Sequence, residues 1–100
     1  MGQGAQPGSL TEAQLQATIL EAAQWLHWVS YHTHDSRRSA AGFPDLVLCR
    51  GTRLVFAELK SAKGKVTPEQ QQWLDALAAT GAEVYCWRPG DLQEALRILR

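Results

Sequence analysis

Two runs rich in β-forming residues, Leu46 to Arg50 and Arg53 to Lys60, are separated only by Gly51-Thr52. A link that short closes an antiparallel hairpin, because parallel neighbours need a crossover of a dozen residues or more. Upstream, Trp28-Val29-Ser30-Tyr31-His32 alternates and is also rich in β-formers, so it reads as a strand extending the hairpin into a meander. Downstream, Thr67 can cap a helix, Pro68 suits its first position and Gln70 completes a capping box. Trp73, Leu74 and Leu77 form the apolar face of that helix, and Gly81 stops it. A fourth strand follows at Val84-Tyr85-Cys86-Trp87, so the helix serves as a crossover.

Helices close both ends of this pattern. Ser9 can cap a first helix running to about Leu26, with Leu15, Ile19, Ala22 and Leu26 on one stripe. Asp91 and Glu94 make a second capping box, opening a final helix with Leu92, Ala95, Leu96 and Leu99 inward. The expected fold is α/β, a mixed sheet flanked by helices in the order αβββαβ plus a C-terminal helix. Residues 1–8, rich in Gly, Gln and Pro, read as a flexible tail ahead of one domain over residues 9–100. Trp25, Trp73 and Trp87 suit core faces, whereas Trp28 suits either the core or a subunit interface.

Composition removes several function classes. A chain of 100 residues with 45% hydrophobic content can build one real core, and no apolar run approaches the ~20 residues needed to span a bilayer. The N-terminus lacks the basic flank and apolar segment of a secretory signal, and Gln6 stands where myristoylation wants Ser or Thr. Cys49 and Cys86 sit in apparent strands without metal-type spacing, so they read as small core residues of a protein in a reducing, cytoplasmic compartment. The formal net charge is zero, yet Arg37 to Lys65 holds seven basic residues and only two acids, Asp45 and Glu58. A +5 stretch around two isolated carboxylates suggests a phosphate-facing surface, the plain alternative being an ordinary solvated face.

The two acids carry the chemical reading. Strand side chains repeat every two residues, so Glu58 and Lys60 share a face. Asp45 opens the preceding strand, near where the end of its antiparallel partner must lie. Two carboxylates converging there form an oxygen-rich site suited to Mg²⁺ or Mn²⁺. A lysine beside them can hold a phosphate or a metal-activated hydroxide, a combination fitted to phosphodiester hydrolysis. His32, His34 and Asp35 allow a zinc reading, but without further ligands at recognisable spacing they read as loop-edge residues.

Pro44-Asp45, a spacer, then Glu58-Leu59-Lys60 resembles the PD-(D/E)xK nuclease superfamily. The surrounding residues are similar to its VRR-NUC branch, stand-alone phage or bacterial type: an early helical Glu12, Gly42-Phe43-Pro44-Asp45-Leu46, a Gly64-Lys65 loop, and Thr67-Pro68-Glu69-Gln70 leading a helix. The likeness spans roughly residues 11–90. It implies that Asp45, Glu58 and the Leu59 carbonyl bind Mg²⁺ or Mn²⁺ and that Lys60 orients or deprotonates the attacking water. It also implies Glu12 as a further ligand, although its spacing from Ser9 equally fits a capping-box partner. Gln70 would support Lys60 or a phosphate, or act only as a cap. Arg37 and Arg38 would contact substrate phosphates, as would Lys63 and Lys65 in the basic loop. The implied function is a metal-dependent endonuclease cutting DNA, with branched or Holliday-junction substrates and a homodimer as family precedents. The competing expectation is a non-catalytic nucleic-acid-binding subunit that kept the fold.

Overall fold

The hairpin forms around a two-residue loop, pairing β2 (Leu46–Arg50) with β3 (Arg53–Leu59) and leaving Arg50 opposite Arg53. Gly51 takes a positive φ of 60° and Thr52 does not, the pattern of a type II′ turn that matches strand twist. The computed structural model describes residues 10–34 and 40–100. β1 (Val29–His32) pairs antiparallel with β2, and β4 (Glu83–Trp87) pairs parallel with β3, giving the mixed sheet order β1-β2-β3-β4. The parallel step is supplied by α2 (Pro68–Ala78), the expected crossover. With α1 (Glu12–Trp25), a 3₁₀ turn (Pro89–Asp91) and α3 (Leu92–Leu99), the order αβββαβα is the expected one.

One sheet face carries Leu46, Leu48, Val55, Ala57, Leu59 and Trp87, all buried against Leu15, Ile19 and Ala23 of α1 and Ala95 and Leu99 of α3. Each fully buried Leu or Ile contributes about 1.5–3 kcal/mol relative to exposure, so this layer carries most of the stability. The buried stripe of α1 turns onto Ala23 rather than Ala22, because successive i+4 steps from Leu15 lead there. The opposite face is half covered. Phe43 stands edge-on to both Phe56 and Trp73, with ring centroids 6.0 and 5.0 Å away. Toward the free edge at β1, Val29, Tyr31, Cys49 and Leu54 remain exposed.

Several local expectations are corrected. Thr11 caps α1: its hydroxyl accepts the Gln14 N–H and the Gln14 side chain accepts the Thr11 N–H. Glu12 is therefore not a capping-box partner; Ser9 and residues 1–8 lie outside the described residues. Asp91 accepts the Arg88 N–H across the 3₁₀ turn instead of capping α3, while Glu94 pairs with Arg97. Cys49 is exposed, and Trp25, expected in the core, is 77% exposed. Trp25 ends α1, where a Schellman arrangement turns the chain away: the His27 N–H reaches the Gln24 carbonyl and the Trp28 N–H the Ala23 carbonyl. Trp28 is the buried one. Its Nε1 donates to the Leu99 carbonyl at 2.8 Å, and the Arg50 and Arg53 guanidinium groups lie 4.5 and 5.0 Å from its ring centroid. The same arginines donate to the carbonyls of Leu26, Ile98, Leu99 and Arg100, satisfying helix C-termini otherwise short of donors.

Candidate active site

At the sheet end away from the Gly51 hairpin turn, Asp45 is fixed by both neighbouring strands. Its carbonyl accepts the Thr33 N–H at 3.0 Å, and its Oδ2 accepts the Leu59 N–H at 2.8 Å. Glu58 stands beside it, one residue back along β3, and is only 2% exposed. One oxygen of Glu58 accepts from Gln70 Nε2 at 3.0 Å and faces Lys60 Nζ at 3.7 Å. The other, Oε1, is buried without a hydrogen-bond partner. Burial, then the negative charge of Asp45, pushes the Glu58 carboxyl up to about 8 against the opposing pull of Lys60. Two carboxylates so placed cannot both ionise cheaply without a counter-charge, and the orphaned oxygen is where a cation would find its donor.

Gln70 serves the helix and the site together. Its Oε1 accepts the Thr67 N–H at 2.9 Å, completing the cap of α2, which leaves its NH₂ group to face Glu58. One end of the amide thus caps α2 and the other meets Glu58, so its side-chain partner in the site is Glu58 rather than Lys60. Gly42 makes this possible. It has a φ of +90°, and a Cβ there would fall 2.5 Å from the Glu69 carbonyl carbon and 2.7 Å from the Gln70 nitrogen. The loop bearing Pro44-Asp45 therefore presses on the first turn of α2 as only glycine allows.

Glu12, Asp45, Glu58, Lys60 and Gln70 line one cavity of about 390 Å³. Glu12 lies at its rim, with its carboxyl raised by partial burial and then by the charge of Asp45. Lys63 and Lys65 are exposed on the following loop and do not line the cavity. Arg37 and Arg38 lie outside the described residues. Thr33 joins the cavity wall without a local signal in the sequence, and Gly42 of the Gly42-Phe43-Pro44-Asp45 run joins it too. Among the described residues no three His, Cys, Asp or Glu side chains gather into a metal cluster. The groups that could hold a metal are a close carboxylate pair, Asp45 and Glu58, with Glu12 at the rim of the same cavity. Hard oxygen donors of this kind suit Mg²⁺ or Mn²⁺, which keep several waters, better than a closed zinc site. His32 and His34 lie with ring centroids 4.1 Å apart, and they do not line the cavity.

The mixed sheet, the carboxylate pair on adjacent strands and the lysine two residues on define a PD-(D/E)xK-type nuclease fold with an acidic pocket. The family model for the VRR-NUC domain matches residues 5–88, and the chain belongs to that family. A solved structure described as "VRR_NUC domain" superposes with a TM-score of 0.71 at 20% identity, covering 88% of this chain and 97% of that one. Another, described as "VRR_NUC domain protein", gives a TM-score of 0.66 at 19% identity over 90% and 85% of the two chains. At these identities the likeness concerns the fold. No curated protein matches the sequence. No helix among the described residues is long and apolar enough to cross a membrane.

Proposed function

We propose that this chain is a metal-dependent endonuclease hydrolysing DNA phosphodiester bonds, with branched DNA as its substrate. The observation that carries the reading is the buried Glu58 beside Asp45, with one oxygen orphaned and the other held by Gln70 next to Lys60. Asp45, Glu58 and the Leu59 carbonyl would hold Mg²⁺ or Mn²⁺, with Glu12 as an outer ligand. When bound, such an ion supplies charge neutralisation and a more acidic water. The chain's own groups do the rest. The Leu59 N–H fixes Asp45 and Gln70 orients Glu58, so the donors need no rearrangement. Lys60 offers its ammonium to the attacking water or to a non-bridging phosphoryl oxygen. Lys63 and Lys65, with Arg37 and Arg38, would hold flanking phosphates.

A non-catalytic binding subunit gains nothing from a buried Glu58 set beside a second carboxylate, both of which repel phosphate. Homodimerisation is favoured by the exposed Val29, Tyr31, Cys49 and Leu54 beside the free sheet edge, an apolar face a second copy would cover. The test compares wild type, Lys60→Ala and Asp45→Asn for cleavage and binding of linear and four-way junction DNA at one salt concentration, with Mg²⁺ or Mn²⁺. Lys60→Ala is expected to abolish cleavage while leaving affinity nearly intact, lowering the salt slope by about one unit. Asp45→Asn should stop cleavage and tighten binding by removing a negative charge. Cleavage by Lys60→Ala at the wild-type rate would remove this site from consideration. Light scattering on the same samples tests the dimer.

A further inference from the structure

Lys60 directly follows β3 and is still tied to β4, its N–H donating to the Trp87 carbonyl at 3.0 Å. The chain then reverses, with the Gly64 N–H reaching the Ser61 carbonyl at 3.3 Å. This turn passes beside the aliphatic stem of Lys60, close enough that a Cβ on Gly64 would stand 3.6 Å from Lys60 Cδ and 3.0 Å from Ser61 Oγ. Both ends of the turn are gripped from outside. Arg88 Nη1 donates to the Ser61 carbonyl at 2.8 Å and to the Gly64 carbonyl at 2.6 Å. Arg88 is itself anchored, following buried Trp87 and giving its N–H to Asp91 Oδ2 at 2.8 Å. It does not line the cavity.

We propose that Arg88 is a positioning residue for Lys60, acting through the Ser61–Gly64 turn; the proposal rests on the nuclease reading above. A lysine stem is long and freely rotating, so an unsupported ammonium would sample many places besides Glu58. Charge-assisted hydrogen bonds from one guanidinium to two carbonyls hold the turn, and the turn confines the stem. Lys63 lies between the two gripped carbonyls in sequence, so the same clamp fixes the base of the basic loop.

The experiment measures native-state trypsin cleavage after Lys63, together with kcat and KM for metal-dependent DNA cleavage, in wild type, Arg88→Ala and Arg88→Lys. For Arg88→Ala, loop cleavage is expected to rise and kcat to fall, each about tenfold, with KM within about twofold, because a small misplacement of a catalytic group acts on the transition state. Arg88→Lys, which keeps the charge but on a shorter side chain that reaches the two carbonyls less well, should fall between, and it carries the test if Arg88→Ala does not fold. Unchanged loop protection, an unchanged kcat, or a raised KM at constant kcat would overturn the proposal; the last would make Arg88 a substrate contact. A wild type without nuclease activity would sink the nuclease reading instead, and the trypsin comparison would still show whether the clamp exists.

Discussion

Gln70 joins two tasks that substitution can separate. Thr67→Ala removes the cap hydroxyl and should cost about 1 kcal/mol in denaturant unfolding, with cleavage largely retained. Gln70→Ala should cost a similar amount and also lower kcat, because Glu58 then loses its orienting donor. Equal activities in the two variants would reduce Gln70 to a cap. Glu12 makes a cleaner case. Since Thr11 and Gln14 form the cap, Glu12→Gln should change stability by no more than about 0.5 kcal/mol while cutting activity sharply; wild-type activity would exclude Glu12 as a ligand. At this scale the sequence was legible where partners are local or share a strand, as with Glu58, Lys60 and the Thr67–Gln70 box. It named the wrong residue where a neighbour two positions on could do the same service: Ser9 reads as the cap of α1, and Thr11 supplies it. It was silent where the partner is far along the chain, as for Arg88, whose acceptors lie 24 and 27 residues away.

At the scale of elements, the end of α1 and the start of α2 are the places to probe. His27 sits at the left-handed position of the Schellman turn with φ 68°, which costs a side-chain-bearing residue free energy that glycine avoids. His27→Gly should therefore raise stability by about 0.5–1 kcal/mol, with activity unchanged, as read by chemical denaturation. Gly42→Ala should act in the opposite sense. Its Cβ meets the backbone of Glu69 and Gln70, so α2 must retreat, and activity should fall although no chemical group is removed. Element order was readable because the hairpin turn, the crossover cap and the apolar runs are each signalled within a few residues. The fate of the tryptophans was not. Trp25 continues the helix as far as composition can tell, and only the Schellman turn leaves it in solvent. Trp28 is buried by arginines from the β2–β3 hairpin and a carbonyl at the far end of the chain.

For the whole molecule, the Arg53–Glu83 pair ties the hairpin to β4, with both donor atoms 2.7–2.8 Å from carboxylate oxygens. Those hydrogen bonds hold the Glu83 carboxyl below its ordinary 4.5. A depressed folded value means that the pair's contribution is complete above 4.5 and is lost as pH falls through the lower folded value. Glu83→Gln should be less stable than wild type by about 1 kcal/mol at neutral pH, the pair being partly solvated, and the two should converge in more acidic solution. A difference independent of pH would assign the loss to packing. The family match ends at residue 88, whereas α3 begins at Leu92. A chain cut after Arg88 would retain Asp45, Glu58, Lys60 and Gln70 but lose Leu92, Ala95 and Leu99 from its core and the acceptor of Trp28. Arg50 and Arg53 would lose the carbonyls they hold at the same stroke. The family model and the core therefore have different borders in this protein: the matched stretch holds the acidic pocket, and the last dozen residues, beyond it, complete the layer on which that pocket stands.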